Sequence, residues 1–224
     1  MACGPSPKSR VANAPKRNPP ASKSVFINCP FDDGFKPILR AVVSTIIASG
    51  FHPRCALDAT DGAEIRVGKI AAMIGECDWG IHDLSRVEVD AGGLPRFNMP
   101  MELGLHLGAR LLGEKKHRRK RALILDAQRH RYDAALSDIS GQDIEAHDND
   151  PDQAIRCVRN WLSEHRPHSA PPLPGAIAIR ADYRSFQAEI GALLVPRRLD
   201  PDDLTHSDFL FAVRDWIETR AEPA

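Results

Sequence analysis

The chain has 224 residues, with 30 basic and 30 acidic side chains, a formal net charge of zero and 42% hydrophobic residues. That length holds one full-sized core and an appendage rather than two equal cores, and the charge balance excludes a global pull toward nucleic acid or anionic membrane. The five cysteines are scattered without CxxC spacing, which argues against a disulfide framework or a structural zinc site, and no apolar run approaches the ~18 residues that span a bilayer, so a cytoplasmic protein is expected.

Residues 1–23 carry five prolines and the bases Lys8, Arg10, Lys16, Arg17 and Lys23 with no acid. Such a segment has nothing to bury and is expected to be a disordered basic tail. Order is expected from Ser24, because Val25, Phe26 and Ile27 form a short β-branched and aromatic run that Cys29 and Pro30 end. From residue 35 to 49, Ile38, Leu39, Val42, Val43, Ile46 and Ile47 recur at helical spacing, and Gly50 follows as a stop. A second strand is read at 52–57 and a second helix at 65–77, where Ile70, Met73, Ile74 and Cys77 share a face.

Residues 79–82 read as a third strand ending in Asp83, Leu84 and Ser85. After a loop with Gly92, Gly93 and Pro95, Pro100 fits a first helical turn, with Asn98 or Met99 near the cap, and the helix runs to Leu112. Residues 115–121 hold six bases around His117 and read as a solvated loop. A fourth strand is expected at 121–126, a turn at 137–143, a fifth strand at 143–147, and then a helix opened by Asp150 and Pro151 with Ile155, Val158, Trp161 and Leu162 inward.

Strands alternating with helices imply right-handed βαβ units. The expected fold is therefore α/β: a flavodoxin-like parallel sheet of about five strands, covered by helices on both faces. Residues 24–163 form this domain, 164–175 a proline-rich linker, and 176–224 a helical extension with amphipathic stretches at 182–195 and 207–220. Phe209, Val213, Trp216 and Ile217 share one face of the last stretch, which is too small for a core of its own and would dock on the domain or on a second copy.

Ligands in such sheets sit outside the carboxyl ends of the strands, and three polar clusters fall there. One follows the first strand, with Asn28, Cys29, Phe31, Asp32 and Asp33; one follows the third, with Asp83, Ser85 and Arg86; one opens the next helix, with Asn98 and Glu102. A carboxylate in a first helical turn is favoured by the helix dipole whatever its role. Facing a cleft floored by Asp83 and Asn98, however, an ionised Glu102 could stabilise an oxocarbenium-like transition state or attack an anomeric carbon. Gly104 and Gly108 would permit a close approach, either of a ligand or of the packed sheet. Cys29 has no histidine with an obvious place beside it, so a structural thiol is favoured over a nucleophile. No dinucleotide or phosphate-loop glycine pattern is present, and the nine histidines show no zinc-type spacing.

The strings VFINCPFD (25–32), GIHDLS (80–85) and NMPMELGLHLG (98–108) resemble the nucleoside 2-deoxyribosyltransferase-like and TIR-like superfamily, in particular a group of bacterial proteins sharing all three. The resemblance covers 24–163. It implies that Glu102 is the nucleophile, that Asp83 holds the sugar, and that the loop with Phe31 and Asp32 contacts the base. In TIR-like enzymes the corresponding glutamate supports cleavage of the N-glycosidic bond of NAD. Ser85 and Arg86 stand where the transferase pattern has a second acid, and no tryptophan–cysteine pair precedes Glu102.

The function expected from these residues is cleavage or exchange of the N-glycosidic bond of a nucleotide, nucleoside or NAD. Glu102 would be catalytic, with Phe31, Asp32, Asp83, Ser85 and Asn98 binding substrate. No metal or cofactor is required, and NAD enters only as a candidate substrate. The alternative is a sensory module that holds a nucleotide in the same cleft without turning it over. A nucleotide or nucleoside is the expected partner and a homo-oligomer is open; neither membrane nor nucleic acid is expected.

Overall fold

The structure is a computed structural model that describes residues 19–58, 62–86, 96–129, 131, 136–139 and 141–221. Five strands, β1 (Ser24–Asn28), β2 (His52–Cys55), β3 (Trp79–Asp83), β4 (Arg121–Asp126) and β5 (Ile144–Ala146), form one parallel sheet in the order β2-β1-β3-β4-β5. This is the flavodoxin-like order, whose topological switch point lies between β1 and β3. All five strands end at the same edge. Among the described residues no helix is long and apolar enough to cross a membrane.

Successive strand side chains point to opposite faces, and the core divides accordingly. Val25, Ile27, Ile81, Leu123 and Leu125 face α1 (Lys36–Ala48) and α4 (Pro151–His165). On the other face Phe26 meets Ile70, Met73 and Ile74 of α2 (Arg66–Glu76), while Ile124 meets Met99 and Leu103 of α3 (Asn98–Leu112). Asp150 caps α4 by accepting the Asp152 N–H at 2.9 Å, with Pro151 at the first helical position. Gly50 ends α1 at φ 74°, a left-handed value that favours glycine.

The C-terminal helices α5 (Ala176–Leu194) and α6 (His206–Ala221) join the first of these cores instead of forming another. Ile179, Tyr183 and Phe186 of α5, with Phe209, Val213 and Trp216 of α6, are buried together with residues of α1 and α4. The Trp216 ring lies edge-on to Phe186 at 5.9 Å, and its indole N–H donates to Glu189 at 2.8 Å. Helix α5 starts at Ala176, six residues before the amphipathic stretch expected at 182. The proline-rich segment before it is fastened by Arg159, which donates to the carbonyls of Pro174 at 2.7 Å and Leu173 at 3.2 Å.

Two local expectations are corrected. Residues 1–18 of the expected disordered tail lie outside the described residues, but its last three, Ala21–Lys23, form a 3-10 turn that anchors the chain. There the Ala21 carbonyl accepts the Asp78 N–H at 3.0 Å and the Ser22 carbonyl accepts the Trp79 indole N–H at 3.0 Å. The expected solvated basic loop also contains one inward residue: Lys120 is buried and donates to the carbonyls of Ile74 and Cys77 at the end of α2. The carbonyl end of a helix favours a cation, which is why a buried ammonium is tolerated there.

Candidate active-site cleft

A cavity of about 390 Å³ opens at the carboxyl end of β1, lined by Asn28, Cys29, Pro30, Phe31, Asp32, Arg66, Arg96, Asn98, Met99 and Glu102. Four of the six residues singled out from the sequence, Phe31, Asp32, Asn98 and Glu102, therefore share one cavity at the switch-point edge. Phe31 is partly exposed there. Asp32 uses one oxygen to accept the Phe35 N–H at 3.1 Å, while its other oxygen pairs with Arg96 at 3.3 Å and Arg86 at 3.6 Å.

The position of Glu102 depends on how α3 is held. The Asn28 amide donates to the Met99 carbonyl at 2.8 Å and contacts His82 Nδ1 at 3.1 Å, which ties the end of β1 to the first turn of α3 and to β3. Gly80 makes room for this arrangement, since a Cβ there would stand 2.6 Å from the His106 ring and 2.7 Å from His82 Nε2. The rings of His82 and His106 meet edge-on at 4.8 Å, and burial holds both imidazoles below the usual histidine range, to about 4 for His106.

The electrostatic expectation for Glu102 is overturned. Helix α3 begins at Asn98, so Glu102 is its fifth residue and the first turn carries no acid. It lies past the N–H groups whose dipole was expected to keep it ionised. Burial instead raises its carboxyl from 4.5 to about 7, with the Arg66 guanidinium acting in the opposite direction. At neutral pH the cleft thus holds an acid divided between its two protonation states.

Asp83, expected on the cleft floor, and Ser85, expected to bind substrate, both lie elsewhere. Both are buried, 1% and 0% exposed, and neither lines the cavity. Asp83 accepts the Ser85 N–H at 2.9 Å through one oxygen and meets His147 Nε2 at 3.0 Å through the other. Ser85 Oγ also meets His147 Nε2 at 3.0 Å, while His147 Nδ1 accepts the Asn149 N–H at 3.1 Å. That last bond puts the ring proton on Nε2, facing Asp83. The trio closes β3 against the turn after β5 and leaves the Asp83 oxygens engaged inside the protein.

Cys29 lines the cavity as a thiol, because burial and then the nearby Asp83 carboxylate push its pKa well above the usual range. Gly104 and Gly108 face open space, so neither a packed sheet nor a cavity wall requires them. Residues 137–139 form a 3-10 turn, and no described residue of 137–143 lines the cavity. The loop with Gly92, Gly93 and Pro95 lies outside the described residues. Sequence reasoning missed Arg66 and Arg96 as cavity residues. Arg66 opens α2 and Arg96 precedes α3, and no local pattern separates either from an ordinary surface arginine.

Comparison of the chain with protein-family models, with curated proteins and with solved structures returns no match.

Proposed function

We propose that this cleft cleaves or exchanges the N-glycosidic bond of a nucleotide, nucleoside or NAD. The observation that carries the reading is the meeting of Phe31, Asn98 and a buried Glu102 in one cavity at the switch-point edge. A carboxyl poised near 7 supports it: its ionised form can face positive charge developing on a sugar, or attack the anomeric carbon. Phe31 would stack on the base and Asn98 would bind ribose hydroxyls. The resemblance to the deoxyribosyltransferase-like and TIR-like superfamily points the same way. Arg66 and Arg96 add positive charge to the cavity wall, which favours a phosphate-bearing substrate over a free nucleoside.

One observation favours the second reading, a nucleotide-binding sensory module. Among the described residues the one other carboxylate lining the cavity is Asp32, which is paired with Arg86 and Arg96 and so is not free to serve Glu102 as a partner acid for proton transfer. The test is incubation of the purified protein with nucleosides, their 5′-phosphates and NAD, followed by chromatography for free base or nicotinamide. Release from a phosphorylated substrate, faster than from its unphosphorylated twin, is the expected result. Binding of a nucleotide without release of base would replace the enzyme by the sensory module.

A further inference from the structure

Away from the cleft's Glu102, three potential metal-ligating side chains converge where the C-terminal extension meets the sheet. Cys55 ends the edge strand β2, Asp58 follows in the turn, and His206 opens α6, so the cluster joins segments 151 residues apart. Cys55 is fully buried, and the side chains of His206 and Asp58 are 8% and 17% exposed.

The spacing of the donor atoms fits a single small ion. Cys55 Sγ lies 3.3 Å from His206 Nε2 and 3.8 Å from Asp58 Oδ1, and His206 Nε2 lies 3.4 Å from Asp58 Oδ1. Tetrahedral zinc with bonds of about 2.3 Å to sulfur and about 2.1 Å to nitrogen and oxygen requires edges of about 3.6, 3.6 and 3.4 Å. Each observed edge is within a few tenths of an ångström of its counterpart.

The surroundings prepare the carboxylate as well. Asp58 Oδ2 accepts the Cys55 N–H at 3.0 Å and Arg54 Nε at 3.2 Å, which turns Oδ1 toward the sulfur and the imidazole. Partners behind the ligands orient metal sites in this way. One thiolate, one carboxylate and one neutral imidazole also balance a dication, so the filled cluster would bury no net charge. A fully buried thiol is closed to a substrate, which weighs against reading the trio as a catalytic Cys–His–Asp arrangement.

We propose that Cys55, Asp58 and His206 form a three-ligand zinc site that staples the start of α6 to the end of β2. Three protein ligands leave a fourth position for a water molecule, and a neighbouring cavity of about 180 Å³ lined by His206 supplies it from solvent. The spacing gave no warning, since Cys55 and Asp58 lie close in the chain while His206 belongs to a different element.

The test uses the full chain, stripped with chelator and titrated with Co²⁺ and then Zn²⁺. One Co²⁺ per chain is expected, with sulfur-to-cobalt charge-transfer absorption and the intense visible bands of a tetrahedral ion, both abolished by a stoichiometric amount of Zn²⁺. Zn²⁺ should also raise the Tm of the stripped protein. Cys55→Ser and His206→Gln should each lose the charge-transfer band and the Zn²⁺-dependent rise in Tm while retaining the far-UV circular dichroism of the parent. If either variant fails to fold, the titration of the parent together with Asp58→Asn decides. Absence of the charge-transfer band in the parent, its persistence in Cys55→Ser, or a Tm indifferent to Zn²⁺ would each overturn the proposal.

Discussion

Burial of Glu102 makes a prediction about stability that is independent of any substrate. Its carboxyl is raised from 4.5 to about 7, so between those values the native state keeps a proton that the unfolded chain has released. Stability attributable to this group is therefore full below pH 4.5, falls as pH rises toward 7, and is lost above that. The loss amounts to about 3 kcal/mol. Glu102→Gln should remove this slope and be the more stable protein at pH 8, which urea unfolding of both proteins across the pH range will measure. Asp83 yields a prediction of a different kind. With both oxygens engaged by Ser85 and His147, Asp83→Asn should cost about 1–3 kcal/mol of stability and leave KM unchanged. A raised KM with unaltered stability would return Asp83 to the sugar site. Residue types at strand ends and at the start of α3 could be read from the sequence, and four of the residues so picked out, Phe31, Asp32, Asn98 and Glu102, line one cavity. What could not be read is which way Asp83 turns, because that is decided by His147, which lies 64 residues away in the chain.

Among the elements, the strands and the helices with one apolar face were legible because burial repeats at a period the chain displays. Helix α1 buries Ile38, Leu39, Val42, Val43 and Ile46, five of the six positions its spacing picks out, with Ile47 partly buried. Boundaries were harder where no side chain caps the helix. Phe97 precedes α3 without a capping hydrogen bond, and a start one or two residues earlier than expected carries Glu102 beyond the first turn. Gly175 precedes α5 in the same way. The inward turn of Lys120 was hidden for another reason, since its partners are backbone carbonyls of α2 that leave no mark on residue type. Helix α6 is held by packing, with Phe209, Val213 and Trp216 buried in the core shared with α1 and α5. Trp216→Ala should lower stability by about 3 kcal/mol, since it empties a ring-sized volume and leaves Glu189 without its indole donor. An unchanged Tm would show that this face contributes nothing.

For the whole molecule, alternation of strand and helix was enough to anticipate a parallel sheet covered on both faces, and the β2-β1-β3-β4-β5 order then locates the cleft at its switch point. The merging of α5 and α6 into the core between α1 and α4 was not legible, because an amphipathic helix shows that it must be covered but not by what. The functional account rests on Glu102 acting on a glycosidic bond, and single-turnover base release by the parent and by Glu102→Gln, with enzyme in excess over the best substrate of the panel, tests it most directly. The substitution preserves volume and removes the charge, so ligand affinity should change little while the rate falls by ~100-fold or more, about 2.7 kcal/mol of transition-state stabilisation. The parent rate should also rise with pH through about 7, as the carboxyl that faces the sugar ionises. A folded Glu102→Gln protein that releases base at the parent rate would contradict the account.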